Sequence, residues 1–395
     1  MRTSLRSVGI ALGTLLVAAG AWWLLAADVE APPEAYAEPD VAILDESIRF
    51  FESKLASDPE NFLAARRLVE RYQARFSLTA RPADLERAET LADRLEPVDR
   101  DRAAARTRIA SVRLARHDFA GALRHAEAAV AANPHDAGAW SVLFDAAFAT
   151  GRYERAREAL THLEKGGVPR AAKAATWLSA RGRVEAASAR LSRACERIET
   201  WSRPALEAWC WTELGRLEAE RSGPRAAAAL YAHALERVPG YRGAVEGLAD
   251  LALAAGDLDE AEALYHRILT DAHADLYLRL AEIHEARGNA PAARRWEREF
   301  LEVARAPGGE ALFAQPLVYL LAGREGSQAE AVEVALREVR RRPTVEAWDA
   351  LAWARLQAGD TEGALRASER AFAWGTPSER MESHRKRILG AMNEL

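Results

Sequence analysis

Two cysteines, Cys195 and Cys210, and nine histidines have the widest chemical repertoire in this chain. The cysteines could join as a disulfide or sit apart as small apolar thiols. A metal site asks for converging ligands, often two on one helix at i and i+4. His117, His125, His233, His266, His284 and His384 are scattered instead, and none is paired that way with another histidine or a cysteine. The sequence also lacks a Gly-x-x-x-x-Gly-Lys-Ser/Thr phosphate loop, a Gly-x-Gly-x-x-Gly turn, His-Glu-x-x-His, Gly-x-Ser-x-Gly and Cys-x-x-Cys. No catalytic, cofactor or metal residue is assigned, and the chain is read as not an enzyme.

The spacing of small residues fixes the elements that must position any site. Ala88, Ala122, Ala156, Ala187, Ala227, Ala261, Ala293, Ala331 and Ala364 follow one another at intervals of 31 to 40 residues. A glycine stands five residues before six of them, at Gly151, Gly182, Gly256, Gly288, Gly326 and Gly359. Helices approach closely where a small side chain lies at the crossing, and glycine takes the left-handed conformation that ends a helix. The unit is therefore helix, turn, helix, repeated. The longest interval brackets Thr200 to Pro204 and the next longest brackets Pro307 to Gly309, which predicts two longer loops between repeats.

The fullest copy reads Trp211-x-x-Leu214-Gly215, Ala227, Tyr231, Ala234-Leu235 and Pro239, and another reads Trp348, Leu351, Ala352, Gly359, Ala364, Ala371 and Pro377. This resembles the tetratricopeptide repeat (TPR), and the end of the chain looks like that of exported, membrane-anchored bacterial TPR proteins. The resemblance implies an all-α, right-handed α-solenoid of helical hairpins. It assigns 43–377 to about nine repeats, the first ones degenerate, and 378–395 to a C-terminal capping helix. Ile43 to Ser57 reads as a lone second helix ending at Pro59.

Residues Val8 to Ala27 carry no charge and are preceded by Arg2 and Arg6. A helix of that length matches a bilayer core, so residues 1–27 read as a signal anchor, or as a signal peptide cut near Ala35-Tyr36-Ala37. The flanking charges predict a single-pass inner-membrane protein with a periplasmic C-terminal part, or a secreted or periplasmic one after cleavage. Residues 28–42, with Pro32, Pro33 and Pro39 among acidic side chains, read as a stiff linker.

In this register Cys195 falls late in one second helix and Cys210 early in the next first helix, so a disulfide across that junction is one reading. Two separate buried thiols are the preferred one, because Cys195 occupies a core position. The formal net charge of -5 offers no excess of positive charge for a phosphate backbone, so nucleic acid is not an expected partner.

In a TPR-like array the first helices line a concave face. Counting along the repeat assigns to it Asp145, Phe148, Trp209, Arg216, Glu220, Glu246, Asp250, Asp275, Glu282, Glu285, Asp349 and Trp353. An acidic groove with aromatic anchors suits a protein or peptide partner of basic character. The expected function is a periplasmic, non-enzymatic interaction scaffold; the alternative is an accessory subunit of a secretion or exopolysaccharide export system.

Overall fold

The computed structural model describes residues 41–79, 81–96, 102–163, 168–200, 203–269, 273–376 and 378–393. Among these there are twenty α-helices and no strand. A lone helix α1 (Val41–Ser57) precedes nine hairpins: α2 (Phe62–Thr79) with α3 (Pro82–Leu95), α4 (Arg102–Ala115) with α5 (Phe119–Ala132), α6 (Ala137–Ala149) with α7 (Tyr153–His162), α8 (Val168–Ser179) with α9 (Val184–Glu199), α10 (Pro204–Arg221) with α11 (Pro224–Arg237), α12 (Arg242–Ala255) with α13 (Leu258–Ile268), α14 (Asp275–Ala286) with α15 (Ala290–Arg305), α16 (Gly309–Ala322) with α17 (Gln328–Arg341), and α18 (Val345–Gln357) with α19 (Thr361–Phe372). Helix α20 (Glu379–Asn393) closes the series.

The nine alanines each lie on the second helix of a hairpin and are 0 to 2% exposed. All six turn glycines have positive φ. The amide after Gly151, that of Arg152, donates back to Ala147 O at 2.8 Å, and the Asp257, Asn289 and Asp360 amides repeat the pattern. This is the bond that ends a helix through a left-handed residue. Between α4 and α5 the same job falls to His117, with φ 60° and the Asp118 amide bonded to Arg113 O. Second helices then start on capping side chains: Asp118, Asp257, Asn289 and Asp360 each accept a backbone N–H from the first turn.

Packing between neighbouring hairpins is close where glycine meets tyrosine. The Tyr231 ring lies between Gly215 on α10 and Gly247 on α12, so near that a Cβ on either glycine would fall within 2.6 Å of it. The two intervals expected to be loops are absorbed by longer helices instead. Only 200–203 separates α9 from α10 and 306–308 separates α15 from α16, while α9, α10 and α15 run to 16, 18 and 16 residues.

The chain divides into two compact units. The N-terminal unit comprises residues 41–179 and 184–247; the C-terminal unit comprises 248–393 with 180–183, so the division falls within α12. In the N-terminal unit Cys195 and Cys210 are bonded to each other, with Cα atoms 5.5 Å apart. This corrects the preference for separate thiols: antiparallel α9 and α10 bring the two side chains together in one core. Closing so short a segment stabilises on the order of 3 kcal/mol.

The single-pass inner-membrane location is also corrected. Among the described residues no helix is long and apolar enough to cross a membrane. The anchor or signal segment 1–27 and the linker residues up to Asp40 lie outside the described residues.

Candidate partner-binding faces

In the N-terminal unit, the first-helix side chains expected to line a groove divide by burial. Asp145 and Trp209 are 6% and 5% exposed and belong to the interior, which corrects their assignment as free anchors. Trp209 packs with Leu206, Cys210 and Leu191. The Asp145 carboxylate accepts from Lys173 Nζ on α8 at 2.5 Å. Burial pushes the Asp145 carboxyl up to about 6, against the pull of the ammonium, so at neutral pH the two form a buried ion pair. Phe148 is half-buried, its ring 5.8 Å from Phe144 and 5.4 Å from Tyr153.

Arg216 pairs with Glu213 on its own helix. Glu246 lies 3.5 Å from Arg242 and adds its field to the same cluster. Burial raises the Glu213 carboxyl pKa, opposed by Arg216 and reinforced by Glu246. Glu220 is exposed near the end of α10.

The C-terminal unit holds a second charged cluster. Asp250 accepts from the Tyr265 hydroxyl at 2.6 Å and lies 3.8 Å from Arg279 Nε. Glu282 accepts from Arg279 at 3.3 Å. Burial is the main cause that raises the Glu282 pKa; Arg279 opposes it, and the charges of Asp250 and Glu285 add to it. Glu285 is exposed, and Asp275, at the start of the same helix, is half-buried. Asp250 and Glu282 thus both lie against Arg279, and Glu285 adds a negative charge beside Glu282.

Asp349 is 2% exposed, and its place as a free groove residue is corrected too. It accepts from the Tyr319 hydroxyl at 3.0 Å, lies 3.1 Å from His384 Nδ1 and 3.4 Å from Arg380 Nε. Burial, then the neighbouring carboxylate, drives the Tyr319 hydroxyl pKa well up. These contacts tie α20 onto α16 and α18. Trp353 is half-buried, stacked on His384 at 4.4 Å with Arg387 over its ring.

Counting by residue type missed the basic partners, though a positional signal exists. Asp145 and Asp250 each lie six residues before their own turn glycine, Gly151 and Gly256. Lys173 and Arg279 each lie nine before the next one, Gly182 and Gly288. The same two positions therefore meet across neighbouring hairpins in both units. Also unforeseen was a shallow groove of about 580 Å³ over α2, floored by Leu55, Leu68 and Leu91. Tyr72 there donates to Glu52 at 2.5 Å, and burial pushes its hydroxyl up to about 12. Among the described residues no group of three or more side chains is placed to hold a metal ion.

The family model described as "Tetratricopeptide repeat" matches residues 113–178 and 224–275. No curated protein matches the chain. Among solved structures it is similar to the human IFIT1 dimer with m7Gppp-AAAA, at 17% identity over 85% of this chain and 77% of that one, with a TM-score of 0.52. It is also similar to PilW, a type IV pilus biogenesis factor, at 21% identity over 53% of this chain and 96% of that one, with a TM-score of 0.42. For pilF of Pseudomonas aeruginosa the values are 17%, 53%, 94% and 0.39. At such identities the likeness is one of fold.

Proposed function

We propose that this tetratricopeptide-repeat protein is a non-enzymatic scaffold that holds a basic polypeptide segment against its first-helix side chains. One observation carries the reading: Asp250 and Glu282 both lie against Arg279, and the negative charges of Asp250 and Glu285 add to the burial that raises the Glu282 pKa. A carboxylate short of positive charge gains most from an incoming lysine or arginine, because that cation relieves both its burial and its repulsion. The flanking helices are fixed by their hairpin packing, so the site is formed before the partner arrives.

RNA binding does not carry over from the human protein, since the likeness there is of fold and this chain is acidic. The test is fluorescence anisotropy of labelled Lys/Arg-containing peptides against the full chain at low and high salt. Binding should weaken with salt and drop about tenfold or more in Glu282→Gln/Glu285→Gln. Affinity unchanged by that pair of substitutions would remove the assignment.

A further inference from the structure

The repeat register continues into α1 and shows what that helix lacks. Ser47 stands twelve residues before Pro59, as Ala122 does before Pro134, Ala227 before Pro239 and Ala331 before Pro343. The residue seven places after the alanine is at most 8% exposed in all nine hairpins; in α1 that residue is Lys54, and it is exposed. The residue three places after is buried or half-buried in all nine; in α1 it is Phe50, 53% exposed. Ile43, one turn before Ser47, is 56% exposed. Meanwhile Leu44 and Ile48 are buried, and Ile48 joins one core with Leu68 and Val69 of α2. Helix α1 thus turns to solvent the face that every other second helix turns toward its own first helix.

Among the described residues no first helix covers that seat.

We propose that a second copy of this chain fills it, α1 against α1, antiparallel about a two-fold axis. The exposed face is self-complementary in the way such an axis demands. With the axis between Glu46 and Ser47, Ile43 of each copy meets Phe50 of the other, and Glu46 of each lies alongside Arg49 of the other. Ser47, half-buried with its hydroxyl accepting from Arg71 Nε of α2 at 3.2 Å, is the small residue nearest that crossing. Among the described residues Glu46 has no ion-pair partner within its own chain. Phe62 and Leu63, at the start of α2, are also exposed, at 41% and 62%.

Sedimentation velocity on the full chain tests this. The wild type should run as a dimer of twice 43.3 kDa, and Phe50→Glu should leave the 43.3 kDa monomer with unchanged helical circular dichroism. Glu46→Arg and Arg49→Glu should each weaken the dimer about tenfold or more, and the combined Glu46→Arg/Arg49→Glu chain should regain it, because the pairs are restored with reversed sign. Leu312→Glu, at an exposed apolar residue of the C-terminal unit, should change nothing. A wild type that stays monomeric at about 50 μM overturns the proposal, whatever else then covers the face. So does a dimer that survives Phe50→Glu, or one that the double reversal fails to restore.

Discussion

The N-terminal and C-terminal units each place an acid and a base at the same two repeat positions, and the two pairs live in different surroundings. Asp145 and Lys173 have side chains 5% and 4% exposed and, among the described residues, lean on each other alone. Asp250 and Arg279 are 32% and 12% exposed, and both have second partners in Tyr265 and Glu282. The register therefore decides that the two side chains meet; the neighbours decide what the meeting is worth. In the first unit the pair is an internal strut. In the second it belongs to a partly open polar cluster that also holds Glu282 and Tyr265.

The strongest challenge to this contrast is to remove each base. Lys173→Met leaves a carboxylate buried with no counter-charge and should cost about 3–5 kcal/mol in urea denaturation. Arg279→Met leaves Asp250 its tyrosine and access to water, and should cost about 1–2 kcal/mol. Equal losses would erase the distinction.

Acid sharpens it further. The Asp145 carboxyl has its folded pKa, about 6, above the ordinary aspartate value of 3.8, so the folded chain holds the proton more tightly. The associated stability is fully present below the unfolded pKa and is lost as pH rises through about 6. Measured against Asp145→Asn, which does not titrate there, the wild type should lose about 2–3 kcal/mol between pH 4 and pH 6.5. A flat difference across that window contradicts the buried pair.

The smallest effect is expected from Tyr265→Phe, which deletes one hydrogen bond to Asp250 and should cost about 1 kcal/mol. It should also strengthen the salt dependence of basic-peptide binding, since Asp250 loses a neutral partner and becomes more available to a cation.

What could be read from residues alone follows from how local each feature is. The hairpins were legible because a crossing alanine and a positive-φ glycine act within about ten residues of themselves. His117 escaped the glycine count because a histidine took the left-handed turn, although it stands the same five residues before Ala122. The fate of Asp145, Trp209 and Asp349 was illegible from their own helices. Asp145 is claimed by Lys173 28 residues later, and Asp349 by Tyr319, Arg380 and His384 on two other helices. A position can be assigned to a face by counting, but whether its charge is free depends on what the next hairpin brings. The two expected long loops failed for a related reason: spare residues were spent on extra helical turns, which bury more than a loop does.

The bond between Cys195 and Cys210 has a mechanical corollary. Pulled from its two ends, a row of hairpins that touch mainly their neighbours would come apart one after another and lengthen by a similar step each time. Here α9 and α10 belong to different hairpins yet share a covalent staple, so the 14 residues between the cysteines stay off the stretched contour. At roughly 3.5 Å per residue, the oxidised chain reaches full extension about 50 Å short of the reduced one. The step at that junction is the one a reductant would lengthen.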